Sequence, residues 1–171
     1  EIAWGMANGY VDQQDLYLER THPETGLDSP TPRFAVATEA GEEWRDAELH
    51  QEAILVRGRP TPHVERIISS RHGPILTSLL PKDVRQHGLS LALQWTGAQP
   101  AGSMLRSLLA LNAARSLEEA DTALSHWDTP SQSIVLADVR GNIAWVLAGS
   151  IPLRGDGAGV LPAIGWNTAA D

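Results

Sequence analysis

The chain has 171 residues, 42% of them hydrophobic, which is enough to bury one sizeable core and short for two comfortable domains. Its 13 Lys and Arg against 21 Asp and Glu leave a net charge of −8, and the few Arg residues are scattered, which argues against a nucleic-acid or anionic-membrane partner because phosphate neutralisation needs clustered cations. The absence of cysteine removes disulfides, thiolate zinc sites and a Cys nucleophile, and no apolar run approaches the roughly 20 residues that cross a bilayer, so a soluble chain without a signal peptide is expected.

Ile2 to Ala7 and Leu16 to Glu19 read as short strands around an acidic turn, Asn8-Gly9-Tyr10-Val11-Asp12-Gln13-Gln14-Asp15. Because Ile2-Ala3-Trp4 reads as a strand already in progress, a segment excised from a longer chain is expected. His22 to Pro32, rich in Pro, Gly, Asp, Ser and Thr, reads as an exposed connector ahead of a strand at Phe34-Ala35-Val36. Glu48 to Val56 and His63 to Ser70 interleave aliphatic with charged residues, as antiparallel strands with one wet face do, and Gly58-Arg59-Pro60 turns the chain between them. Arg71-His72-Gly73-Pro74 is a second break, followed by Ile75-Leu76 and a largely apolar strand from Leu89 to Trp95.

Ser103 to Ala114 carries Leu105, Leu108, Leu109 and Asn112 at helical spacing. Ser116-Leu117-Glu118-Glu119 matches a capping box that opens a second helix through His126, with Leu117, Ala120, Ala123, Leu124 and Trp127 facing inward. Ser133 to Val139 and Ile143 to Leu147 flank Arg140-Gly141-Asn142, a hairpin with positive φ available at Gly141 and Asn142. Gly149 to Asp171 reads as irregular. Many strands, two adjacent helices and a closing hairpin predict an α+β fold with a mostly antiparallel sheet, as a single fragment over residues 1–171.

Asp12 and Asp15, with the carbonyl of Gln14 between them, put oxygen ligands on one tight turn, which suits a hard cation; a plain solvated acidic turn is the alternative, since calcium takes about 6–8 oxygens. The six histidines show no H-x-x-x-H or H-E-x-x-H spacing and give a zinc hydrolase no support. No G-x-S-x-G elbow or phosphate-binding glycine loop is present, and Gly155-Asp156-Gly157-Ala158-Gly159 reads as a structural loop. Of the six Trp residues, Trp4, Trp44, Trp127 and Trp145 read as core, and Trp95 as the wall of a pocket.

Ile2-Ala3-Trp4-Gly5-Met6-Ala7-Asn8, followed by Asp12-x-x-Asp15-Leu16-Tyr17-x-Glu19, closely resembles a strand, turn and strand of the large chain of penicillin acylases (penicillin amidases), which are N-terminal-nucleophile hydrolases. Further similar strings follow in the family's order: Gly58, Arg71-His72-Gly73-Pro74-Ile75, Ala92 to Trp95, Asn112-Ala113, Trp127-Asp128-x-Pro130-x-Gln132 and Ala137-Asp138-x-x-Gly141-Asn142-Ile143. Two departures stand out: Ser133, where the family often carries Asn, and an irregular register around Gly155 to Leu161. The resemblance covers nearly the whole chain and only part of such a large chain, whose N-terminal Ser, Cys or Thr nucleophile would lie upstream of Glu1.

The resemblance implies that the chain is part of an αββα sandwich whose parent hydrolyses the side-chain amide of a small N-acyl compound. In such enzymes the free α-amine serves as base for its own side chain, so this chain, lacking that terminus, is expected to be inactive alone. The resemblance makes the backbone N–H of Asn8 an oxyanion donor, with a second donor beyond Asp171. It places Met6, Tyr10, Trp95 and Gln132 along the acyl pocket, and it implies a structural calcium held by Asp12, the carbonyl of Gln14, Asp15 and a carbonyl near Val160, with further ligands from the other chain and from an acid beyond Asp171. Implied partners are the remainder of the large chain and a small chain, in the periplasm or outside the cell. Two other readings remain: a non-catalytic, calcium-stabilised binding module on the same scaffold, and an acylase for acyl-homoserine lactones or cephalosporins.

Overall fold

The computed structural model describes residues 1–85, 88–98, 103–154 and 159–167, so His87 and most of the Gly155 to Gly159 loop lie outside the described residues. The strands are β1 (Ile2–Asn8), β2 (Gln14–Arg20), β3 (Arg33–Thr38), β4 (Gly41–Asp46), β5 (Glu48–Ile54), β6 (His63–Ser70), β7 (Gly73–Pro74) and β8 (Leu89–Trp95). Two helices follow, α1 (Ser103–Ala113) and α2 (Leu117–Leu124), then β9 (Gln132–Asp138), β10 (Ile143–Ala148) and β11 (Ala163–Ile164). No helix among the described residues is long and apolar enough to cross a membrane. The chain divides into two compact units, Glu1–Gln13 with Trp95–Leu153, and Gln14–Gln94 with Arg154–Asp171.

The first unit lays α1 and α2 on a sheet of order β1-β9-β10, antiparallel throughout. Leu111, Ala120, Ala123, Leu124, Trp127, Ile134, Leu136 and Ala148 form its core, with Trp4 and Val146 packed against it. Small residues on α2 let α1 approach, and the Ser107 hydroxyl donates to the Ala123 carbonyl at 2.6 Å, a bond that satisfies a buried polar group between helices.

Ser116 caps α2 as its sequence predicts, its Oγ accepting from the Glu119 N–H at 3.2 Å. The return bond differs from the capping box, because Glu119 Oε2 accepts from the N–H of Arg115, one residue before the cap. The helix stops at Leu124 rather than His126: His126 and Trp127 donate to carbonyls three residues back, which tightens the chain out of the α-helical ladder. On α1 the inward positions are Ser107 and Leu111, whereas Leu105 and Leu109 are exposed.

At the β9–β10 turn positive φ occurs at Gly141 and not at Asn142. Asn142 is held instead by Asp138, whose carboxylate accepts from the N–H groups of Arg140 and Asn142 and from the Asn142 amide at 2.8–2.9 Å. Those bonds, the Asn142 amide foremost and against the cost of burial, hold the Asp138 carboxyl at a pKa of about 2. Trp145 is not core here; it is 63% exposed, with its indole N–H on Ser133 Oγ at 2.7 Å. Alternation along the strands explains this: Ala144 and Val146 face the helices, and Ile143, Trp145 and Val135 share the other sheet face, which is exposed.

The second unit holds three small sheets, β11-β2-β8, β3-β4 and β5-β6-β7, with bridges from Thr21 to Phe34 and from Ile75 to Ala92. Phe34, Ala35, Val36 and Ala92 are buried within it. Gly73-Pro74 is a short strand rather than a break, and Gly73 sits at φ +121° with the Leu93 carbonyl oxygen 2.2 Å from where a Cβ would stand. Ala163–Ile164, in the tail expected to be irregular, pairs parallel with Tyr17 and Leu18. The β5–β6 arm corrects another expectation: β5 ends at Ile54 and is exposed along its whole length, while β6 is exposed from His63 to Glu65 and half-buried from Arg66 to Ser70.

Candidate functional site

The β1–β9 register decides where the backbone of Asn8 points. Gly9 N–H donates to the Ser131 carbonyl at 3.1 Å, and Val139 N–H to the Glu1 carbonyl at 3.3 Å, so the odd positions of β1 sit in hydrogen-bonded pairs. Antiparallel pairs alternate, which leaves Ile2, Trp4, Met6 and Asn8 in non-hydrogen-bonded pairs with their N–H and C=O directed away from β9. Among the described residues β1 pairs with β9 alone, and the Asn8 N–H therefore faces the open edge of the strand.

Asn8 lies opposite Gln132, and Met6 opposite Ile134, on the sheet face that α1 and α2 cover farther along. Gln132 is buried, whereas Asn8 is exposed and Met6 is 44% exposed, so this end of the face is open. Tyr10, with φ +50°, is 92% exposed, an unusual backbone for a bulky residue. Trp95 is half-buried over Gly97, where a Cβ would come within 2.4 Å of the indole. The register thus brings Met6, Asn8 and Gln132 together, while Tyr10 follows in the loop after β1 and Trp95 ends β8.

Gly9, whose turn geometry the sequence marks as critical, and Gln13, which it misses, fix the loop after Asn8. Gly9 allows β1 to approach: a Cβ there would lie 3.0 Å from Leu147 Cδ1 and from Ser131 Oγ, and 3.1 Å from the Ser131 carbonyl carbon. Gln13 ties the loop down, its Oε1 accepting from Ser131 N–H at 3.2 Å, its Nε2 donating to the Ser150 carbonyl at 2.8 Å, and its own carbonyl accepting from Thr96 N–H at 3.2 Å. An amide satisfied on both ends and flanked by backbone groups has no local sequence signature.

Gln14 and Asp15 open β2, Asp12 is exposed in the loop before it, and Val160 is exposed in the tail. The Asp15 carboxylate is engaged by Arg154, whose Nε lies 2.8 Å from Oδ1 and 2.9 Å from Oδ2, with side chains 13% and 19% exposed respectively. No three His, Asp or Glu among the described residues converge as a metal would need. With Arg154 on both oxygens of Asp15, these residues alone do not complete a calcium shell of about 6–8 oxygens.

Another cluster lies in the second unit. Glu19, 1% exposed, accepts at Oε1 from Ser70 Oγ at 2.5 Å and contacts His72 Nδ1 at 2.6 Å. Tyr17 stacks on the His72 ring at 3.9 Å, and Ser70 Oγ also accepts from the His72 N–H at 3.1 Å. A cavity of about 190 Å³ beside it is lined by Glu19, Phe34, Arg45, Ser70 and Arg71. This cluster is a polar knot, with Glu19 and His72 buried and Tyr17 and Ser70 half-buried, that joins β2 to the β6–β7 turn.

A family model described as penicillin amidase matches residues 1–171. The chain is 34% identical to an acyl-homoserine lactone acylase QuiP of Pseudomonas syringae pv. tomato, over 100% of this chain and 19% of the relative. It is 30% identical to the acyl-homoserine lactone acylase QuiP of Pseudomonas fluorescens Pf-5, again over 100% of this chain and 20% of that one. Among solved structures, a thermostable penicillin G acylase from Alcaligenes faecalis superposes with a TM-score of 0.74 at 28% identity, covering 98% of this chain and 28% of its own. The chain therefore spans about a fifth of the length of the curated relatives it matches.

Proposed function

Because the chain belongs to the penicillin amidase family, we propose that its parent protein is an amidohydrolase that cleaves the amide of a small N-acyl compound with water, giving a carboxylate and an amine. The αββα architecture of the N-terminal-nucleophile hydrolases gives the setting, and the parent's nucleophile, its α-amine and the second oxyanion donor come from outside these 171 residues.

The observation that carries the reading is the direction of the Asn8 N–H, which the register turns to the open edge of β1, with Met6 two residues before it and Gln132 opposite Asn8 on β9. A backbone N–H held by its own strand costs no reorganisation when negative charge develops on a carbonyl oxygen, which is what an oxyanion donor must offer. Met6 and Gln132 supply an apolar and a polar contact for the acyl group, with Trp95 and Tyr10 as further wall residues once the remaining parent segments enclose them.

As substrate class we favour acyl-homoserine lactones over penicillins, since the relatives at 30–34% identity carry that name and the penicillin G acylase stands at 28%. The test is a panel on the mature parent protein, reading release of homoserine lactone from N-acyl-homoserine lactones and of the β-lactam amine from penicillin G. Preference for the lactones supports the assignment, and faster cleavage of penicillin G overturns it. A parent that neither undergoes cleavage to expose Ser, Cys or Thr nor turns over any amide overturns the hydrolase reading itself in favour of a binding module.

A further inference from the structure

We propose that Arg154 is a built-in cation: its guanidinium occupies the place at Asp15 that the family resemblance assigns to calcium, and the protein keeps its fold at that point without a divalent ion. The inference is independent of the hydrolytic reading.

Both Asp15 oxygens lie within hydrogen-bond distance of Arg154 Nε, and both side chains are largely buried. A calcium ion sharing that carboxylate would stand within a few ångströms of the guanidinium, and in a partly buried site two cations repel with little screening. Calcium also takes about 6–8 oxygen ligands, and the described residues offer no convergent acidic set. The planar guanidinium, by contrast, stays charged at any working pH and pairs with a carboxylate as it stands.

Position explains what the pair accomplishes. Asp15 is the second residue of β2, and β11 joins the same strand at Tyr17 and Leu18. Arg154 and β11 therefore fasten the C-terminal segment to β2 at two neighbouring points, the mechanical task that a bridging ion performs between two stretches of chain. An arginine within the chain performs it with no dependence on ion supply.

The experiment compares the full protein with its Asp15→Asn, Arg154→Gln and Arg154→Lys variants, measuring bound calcium by elemental mass spectrometry and thermal midpoints in EDTA and in millimolar calcium chloride. The proposal expects equal calcium content in the native protein and Asp15→Asn, and a native midpoint that calcium does not raise at this site. It also expects lower midpoints in EDTA for Asp15→Asn and Arg154→Gln. Loss of one calcium equivalent in Asp15→Asn, or an Arg154→Gln midpoint equal to native, overturns it. Should a variant fail to fold, titration of the EDTA-treated native protein with calcium, followed by calorimetry, decides: one tight calcium site that raises the thermal midpoint overturns the proposal, and the absence of such a site sustains it.

Discussion

Replacing Gly9 by Ala tests whether the backbone at Asn8, rather than its side chain, carries the function. A Cβ at Gly9 meets Leu147 Cδ1 and Ser131 Oγ at 3.0 Å and the Ser131 carbonyl carbon at 3.1 Å. The leucine end can yield by a few tenths of an ångström, but the carbonyl carbon belongs to the backbone that accepts the Gly9 N–H. Overpacking of this kind costs about 1–3 kcal/mol, and any shift it forces swings the neighbouring Asn8 N–H. Asn8→Ala leaves that N–H in place and removes only an exposed side chain, so its cost stays within about 0.5 kcal/mol. In the mature parent enzyme, Gly9→Ala is expected to lower kcat by about 10²–10³, the usual effect of losing one oxyanion donor, with KM little changed. Urea denaturation supplies the stability term and steady-state kinetics the rate term. A Gly9→Ala enzyme with native kcat, or an Asn8→Ala enzyme as impaired as Gly9→Ala, would refute the backbone assignment.

Other outcomes follow from the same geometry. Gln13→Ala strands the Ser131 N–H and frees the loop after Asn8; a cost of about 1–3 kcal/mol is expected, read by chemical denaturation, and a neutral variant argues that water replaces the amide. Glu19→Ala leaves Ser70 and His72 without their shared acceptor in a buried site, and a loss of about 3–5 kcal/mol is expected; less than about 1 kcal/mol would mean the knot is incidental. Asp138 has its carboxyl lowered from 3.8 to about 2, so its contribution is fully present above pH 3.8 and is lost as pH falls through about 2. Asp138→Asn should flatten the stability curve across that acid window, and an unchanged acid slope would contradict the assignment. The exposed sheet face with Val135, Ile143 and Trp145 predicts self-association of the 171-residue chain expressed alone, relieved by Trp145→Ser; monodisperse behaviour in sedimentation by the unaltered chain would show otherwise.

How much of this was legible in the sequence depends on how local each interaction is. The Ser116 cap, the helix pair and the β9–β10 turn were readable because their partners lie within four residues. The strand β4, Gly-Glu-Glu-Trp-Arg-Asp, has no apolar alternation and was invisible, and β11 is two residues long, its pairing set by a strand far away in the chain. Trp145 was assigned to a core by residue type alone, whereas exposure depends on what covers its sheet face, which no local pattern states. The ion pair of Asp15 with Arg154 spans 139 positions, so two acidic residues on one turn read as cation ligands without their competitor in view.

The residues behind the family resemblance sharpen the point. Tyr17 and Glu19, from one quoted string, and His72, from another, meet in a buried stack and hydrogen bond. Gly73, beside them, is confined by the Leu93 carbonyl. These side chains hold β2 against the β6–β7 turn, and none of them stands in the trio of Met6, Asn8 and Gln132. The oxyanion donor proposed at Asn8 is a backbone group, which any residue can supply, and the proposed pocket wall is open on one side in this chain. A sequence can therefore declare its family through the residues that fix the scaffold while the substrate stays unread, since specificity rests on side chains that the scaffold leaves free to vary.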